Sequence, residues 1–218
     1  MVELKEITIY GAEASGSIAV EATLTLLKVP YSVIEAATWA EHAARERVAP
    51  ANRMRQVPTL ILPGGETMTE SAAILIDLAD RHPGSRLSPA VTDPGRGQFL
   101  RWMVYVSSAI YSLHWIKPDV TRIGAPPESR TAVVDAVHER IAFCWQNMDA
   151  QMSPGKYLLG DDLTVLDIYV TVVSRFGPWR ARFYEAAPKM SAVVRRVDAD
   201  PRLTDFWAKR FPLDEESE

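Results

Sequence analysis

Cysteine is almost missing from this chain, with one residue, Cys144, in 218. No intrachain disulfide can form and no Cys-x-x-Cys redox centre exists, which fits a reducing compartment. Excess positive charge is missing too. Lys and Arg number 24 against 28 Asp and Glu, for a net charge of −4, so no overall basic field is available to grip nucleic acid phosphates or anionic lipid. Nowhere do roughly 18 uncharged apolar residues stand in a row, and Met1 to Glu6 lack the basic start and apolar run of an export signal. A soluble, cytoplasmic protein without nucleic acid or membrane partners is expected. The four histidines, His42, His82, His114 and His138, show no His-x-x-x-His or Cys/His ligand spacing, and no metal site is expected. Internal repeats and low-complexity tracts are lacking.

The apolar content of 47% suffices for a buried core in one large domain or two small ones. Ile7-Thr8-Ile9-Tyr10, stopped by Gly11, reads as a strand. From Gly16 to Lys28 the apolar positions Ile18, Ala22, Leu26 and Val29 keep helical spacing until Pro30, and Tyr31-Ser32-Val33-Ile34 follows as a second strand. A crossover helix of this length implies a parallel pair. A helix-prone stretch over Ala40 to Val48 comes next. Pro63-Gly64-Gly65-Glu66 then separates two strand candidates, Thr59 to Leu62 and Thr67-Met68, as a hairpin turn. Helical spacing resumes from Ser71 to Arg81.

Pro, Gly, Ser and Asp are concentrated after His82, which predicts a first domain over 1–82, a linker over 83–96 and a second domain over 97–218. No strand is predicted in the second domain. Phe99, Met103, Val106, Ile110 and Leu113 mark one long amphipathic helix, and Val134, Val137, Ile141, Cys144 and Met148 another. Further helices are predicted over 165–175, 189–198 and 202–211. Leu163-Thr164-Val165-Leu166-Asp167 reads as a helix start, Thr164 capping and Asp167 reaching back to the cap N–H. The fold class is α+β, a βαβαββα domain followed by an all-α one.

The most specific string is Gln56-Val57-Pro58-Thr59-Leu60, with Glu70-Ser71 following at the start of a helix. A proline ahead of a strand suits a special turn, and a cis Val57-Pro58 bond would present the Val57 N–H and C=O to an extended peptide as though to another strand. Ser71 stands at the N-cap position, where free N–H groups and the helix dipole favour a carboxylate. Glu70 can take an ammonium group. One ligand with a peptide backbone, an α-carboxylate and an α-ammonium answers all three features.

On these residues, together with the Ile9-Tyr10-Gly11 strand, its serine-containing loop and the helical second domain, the sequence resembles the cytosolic glutathione S-transferase superfamily over nearly its whole length. The resemblance implies a thioredoxin-like first domain, glutathione as co-substrate, and a homodimer. It implies that Val57, held by Pro58, and Glu70 and Ser71 anchor glutathione, with Arg55 and Gln56 offered to the glycyl carboxylate. Arg53 and Met54 depart from the Asn-Pro of many relatives. The loop Gly11 to Ser17 provides two hydroxyls for the thiol. Ser15 falls where serine-type, theta- and beta-like members keep their activating group, Ser17 is the alternative, and either serine instead serves as a cap for the first helix. Lowering a thiol pKa by roughly two units takes about 2.7 kcal/mol, within reach of one charge-assisted hydrogen bond at about 1.5–3 kcal/mol helped by a helix N-terminus. Tyr10 lies inside the strand and is assigned to the electrophile pocket. At 100° per residue, Val104, Ser108, Tyr111 and Trp115 share one helix face, and the resemblance makes Ser108, Tyr111 and Trp115 the wall for a small hydrophobic electrophile. The expected activity is glutathione transfer. The alternatives are a non-catalytic interaction protein of the same fold, and a glutathione-dependent disulfide reductase or peroxidase.

Overall fold

A computed structural model describes residues 6–40, 42–177 and 179–213, the Trp179 side group excepted. Ile7, Thr8, Ile9 and Gly11 of β1 (Ile7–Gly11) are buried and Tyr10 is partly exposed, the pattern of a strand covered on both faces. β1 pairs in parallel with β2 (Tyr31–Glu35) and antiparallel with β3 (Thr59–Ile61). β3 continues antiparallel into β4 (Thr67–Met68), so the sheet runs β2-β1-β3-β4. The crossover between the parallel strands is α1 (Ser17–Leu27), which packs on α3 (Ser71–Arg81). Ile18, Leu24, Ile74, Leu75 and Leu78 are all buried there. A separate small cluster, Ala36 with Ala44 and Val48 of α2 (His42–Val48), receives Tyr10 and Val57. Gly64 and Gly65 carry φ of 99° and 91° in the β3–β4 turn, a backbone region open to glycine at little cost. This is the expected thioredoxin-like βαβαββα arrangement.

Beyond Arg81 the described residues form helices and turns, with one isolated bridge between Tyr157 and Gly160. They comprise α4 (Arg96–Tyr105), α5 (Arg130–Gln151), α6 (Val165–Val173), α7 (Trp179–Ala186), α8 (Pro188–Asp198) and α9 (Thr204–Arg210). The fold gathers into two compact units. One runs to Ala90 and takes back Asp198–Leu213, so α9 belongs with the sheet; the other is Val91–Val197. None of the described helices is long and apolar enough to cross a membrane.

The helix expected from Phe99 to Leu113 is interrupted. After Tyr105 the backbone loosens into a π turn over Val106–Ile110 and then tightens into a 3₁₀ segment over Tyr111–Trp115. Phe99, Met103, Val106 and Ile110 are fully buried as the apolar stripe requires. The uniform 100° step fails beyond Tyr105, because a π turn advances less per residue and a 3₁₀ turn more. Val104, Ser108, Tyr111 and Trp115 therefore do not share one regular helix face.

The capping box at α6 is present. Asp167 has no exposed surface, and its Oδ2 accepts from the Thr164 N–H at 2.8 Å and the Thr164 hydroxyl at 2.8 Å. Its Oδ1 accepts the Leu158 N–H, also at 2.8 Å. Burial pushes this carboxyl up from 3.8 to about 6, against the opposing effect of those hydrogen bonds. Between those values the folded protein holds a proton that the unfolded one has released, so this group's contribution to stability is largest below the unfolded value and declines as pH rises through about 6. Asp167→Ala should lower the unfolding free energy in urea by about 2 kcal/mol, since two backbone N–H groups lose their acceptor. Asp167→Asn should flatten the pH dependence of stability across that window, and an unchanged slope would contradict the assignment.

Candidate functional site

The site grows from the turn that ends β1. Gly11 is placed where an added Cβ would lie 2.6 Å from Ser17 Oγ and 3.1 Å from Glu21 Oε1, so the first turn of α1 can lie against the strand only if residue 11 has no Cβ. Ser15 and Ser17, the two expected hydroxyls, meet at 2.9 Å. Both are buried, Ser15 with 4% exposure and Ser17 with none. Neither is the cap residue of α1, a position held by Gly16 without a side-group bond.

A hydroxyl has one proton to give. Ser17 donates to Glu21 Oε1 at 2.7 Å, and its oxygen accepts the Ala12 N–H at 3.1 Å. Ser15 donates to the Ala12 C=O at 2.7 Å and accepts the Ser17 N–H at 3.2 Å. Glu21, one helical turn after Ser17, has no exposed surface. Its partner is Arg210 of α9, whose Nε donates to Oε2 at 2.7 Å and Nη2 to Oε1 at 3.2 Å. Arg210 Nη1 reaches Glu35 Oε1 at 2.6 Å and lies 3.7 Å from Glu13. Burial pushes the guanidinium down, but the bonds and charges of Glu21 and Glu35 outweigh it and hold Arg210 above its ordinary value. Sequence reasoning missed Glu21 and Arg210. The one signal available is a lone carboxylate inside the otherwise uncharged stretch Ile18 to Leu27.

The second wall is the turn into β3. The Val57-Pro58 bond is cis. Buried Asn52 fixes the approach, its amide donating to the Gln56 C=O at 3.2 Å and to Thr59 Oγ1 at 3.1 Å while its Oδ1 accepts the Met54 N–H at 2.9 Å. The Thr59 hydroxyl donates to the same Gln56 carbonyl at 2.9 Å. With the isopropyl group of Val57 packed toward α2, neither its N–H nor its C=O has a hydrogen-bond partner among the described residues. Gln56 is exposed, and Arg55 pairs with Glu46 at 3.4 Å with both residues about half exposed.

Glu70 is exposed at φ 65° and ψ 102°, a left-handed φ for a non-glycine residue immediately ahead of α3. Outliers of this kind gather at ligand-binding positions. Ser71 is the first residue of α3 and is buried, so the cap position falls on Glu70, one residue before the expected place. Val57, Glu70 and Ser71 thus belong to one sheet unit with the Ser15–Ser17 loop.

In the helical unit, Tyr111 stacks on Phe176, centroids 5.6 Å apart and planes 13° from parallel, and meets Tyr169 edge-on at 6.2 Å. Ser108 is exposed and donates back to the Val104 C=O at 2.8 Å. Trp115, 46% exposed, carries the Arg122 guanidinium 5.1 Å from its ring centroid. Tyr10 lies in the sheet unit, packed with Val57 against the α2 cluster. Among the described residues no group of three or more His, Cys, Asp or Glu is placed to hold a metal ion.

Two family models match the sequence. The glutathione S-transferase N-terminal domain covers residues 9–86 and the glutathione S-transferase C-terminal domain residues 125–210. An uncharacterized GST-like protein of Escherichia coli strain K12, YncG, is 31% identical over 202 residues, 91% of this protein and 96% of that relative. The glutathione S-transferase GstA of Escherichia coli O157:H7 is 25% identical over 154 residues, 71% of this protein and 73% of its own length. A Sulfitobacter glutathione transferase homolog solved with bound glutathione has a TM-score of 0.80 at 24% identity, covering 94% of this protein and 99% of that one. The glutathione S-transferase of Xylella fastidiosa gives 0.80 at 20% identity, covering 95% and 100%. At such identities the two structures speak for the fold.

The close approach at residue 11 is directly measurable. Gly11→Ala should cost about 1–3 kcal/mol of stability in urea, because the methyl group has to displace the Ser17 hydroxyl and the Glu21 carboxylate. A variant as stable as the parent would contradict the packing described.

Proposed function

The chain belongs to the glutathione S-transferase superfamily, and on that footing we propose that it binds glutathione and ionises the thiol for attack on a small apolar electrophile. The observation that carries this reading is that the Val57 N–H and C=O have no hydrogen-bond partner among the described residues. A buried or half-buried N–H and C=O left without partners is uncommon in folded proteins, and an extended peptide supplies both bonds. The cysteinyl backbone of glutathione is assigned to Val57. Its γ-glutamyl head is assigned to Glu70, which takes the ammonium, and to Ser71 at the start of α3, which takes the carboxylate. Arg55 and Gln56 are assigned to the glycyl carboxylate, and for Arg55 this means exchanging Glu46 for the ligand.

The proton accounting favours Ser15 as the donor to sulfur. The Ser17 proton is held by Glu21 at 2.7 Å, whereas Ser15 shares its own between Ala12 and Ser17 and has only to turn. One hydrogen bond to the anion, at about 1.5–3 kcal/mol, lowers a thiol pKa by roughly one to two units. For the electrophile the assigned residues are Tyr10 in the sheet unit and, in the helical unit, Ser108, Tyr111 and Trp115. The protein is proposed to act in the cytoplasm as a homodimer, and to need no metal.

A second reading, a non-catalytic binding protein of the same fold, is favoured by one observation: Ser15 is nearly buried and already bonded. Disulfide reduction has less support, since the loop holds no cysteine and Cys144 is buried in α5.

Calorimetry with glutathione and thiolate absorbance of the complex separate these readings. Glu70→Ala should weaken glutathione binding about tenfold, about 1.4 kcal/mol. Ser15→Ala should leave affinity within about threefold yet abolish the thiolate signal at neutral pH. Binding without thiolate in the parent protein would favour the non-catalytic reading, and absence of binding would end both.

A further inference from the structure

We propose that Arg210, on the last helix, is a positioning residue for thiol activation, acting through the buried carboxylate of Glu21 to orient the loop hydroxyls. The inference rests on the glutathione-activating reading of that loop and adds to it the residues that set the direction of its protons.

Arg210 holds the loop on both sides of Ser15. Ahead of it, the Ala14 N–H donates to the backbone carbonyl of Arg210 at 3.1 Å. Ala14 is at φ 51°, left-handed for a residue with a Cβ, a conformation that persists only where surrounding bonds impose it. Behind Ser15, the guanidinium takes both oxygens of Glu21, and Glu21 takes the proton of Ser17. An ionised carboxylate without solvent contact is tolerated only when paired and hydrogen-bonded, and Arg210 supplies both.

The consequence reaches Ser15. While Glu21 is charged and held, the Ser17 hydrogen points to it, and the Ser17 oxygen faces Ser15 and the Ala12 N–H as an acceptor. Ser15 is then the one hydroxyl of the pair whose proton is free to choose among acceptors, and a thiolate is the strongest acceptor on offer. Releasing Glu21 from Arg210 frees the Ser17 proton to turn toward Ser15 and compete with the sulfur. The other charged and titratable groups on this network are Glu13 in the loop, Glu35 at the end of β2, and Tyr31. The Tyr31 phenol is pushed up first by burial and, after the lowering effect of its bond to Thr25, by the charge of Glu21.

The test compares Arg210→Ala, Arg210→Lys and Glu21→Gln with the parent enzyme. Glutathione affinity is read by calorimetry, the thiol pKa of the complex by thiolate absorbance against pH, and kcat/KM with a model electrophile. Arg210→Ala and Glu21→Gln should each raise the thiol pKa by about one unit and lower kcat/KM below neutral pH about tenfold, with glutathione affinity within about threefold. Arg210→Lys, which keeps the charge and loses the two-pronged grip, should fall between parent and alanine variant, and it carries the test should the alanine variant not fold. Variants that lose thermal stability but keep the parental thiol pKa would reduce Arg210 to a structural tie and overturn the proposal. Failure of the parent itself to ionise glutathione would instead remove the reading on which it rests.

Discussion

Glu21 imposes the constraint on which the first unit is organised. A carboxylate with no exposed surface in the middle of an apolar helix has to be met by a cation and by hydrogen bonds, or the helix cannot be buried against the sheet. Arg210 meets it from the far end of the sequence, which is why α9 is gathered with the sheet and not with the helices that precede it. The same carboxylate orders Ser17, and through Ser17 the turn after β1. Removing a buried partner of this kind costs more than the pair contributes, because the charge left behind is uncompensated.

The sheet unit that holds this loop also has backbone polar groups without partners among the described residues. Asn52 satisfies the Gln56 carbonyl and the Thr59 hydroxyl, which ties the turn together, while the Val57 backbone has no partner among the described residues. Glu70 stands exposed in a left-handed conformation ahead of α3. An N–H, a C=O and an exposed carboxylate in one unit match the groups of a zwitterionic peptide. Membership of the glutathione S-transferase superfamily agrees with that chemistry.

Local features are legible in the sequence because their causes are local. The strands and α1, α3, α5 and α8 lie within a few residues of where periodicity and turn residues put them. The cis Val57-Pro58 bond and the Thr164/Asp167 capping box follow from contiguous strings. What escapes has distant or subtle causes. Arg210 and Glu21 are 189 residues apart, and a lone acid in a helix announces the need for a partner without naming it. The π turn after α4, in which Val106 and Ile110 are both buried, is not marked by anything in the order of its residues. As a result a helical face drawn through Ser108, Tyr111 and Trp115 is too regular. α7 gives no sequence signal, because Trp179 to Ala186 alternates charge and aromatic residues without a clean apolar stripe.

The central claim is that an unpaired backbone edge at residue 57 receives the peptide of glutathione. Amide hydrogen exchange at Val57, followed by NMR with and without saturating glutathione, tests it most directly. The Val57 N–H is predicted to become strongly protected when glutathione is present. A Val57 amide that exchanges at the same rate in both states, with glutathione demonstrably bound, would contradict it.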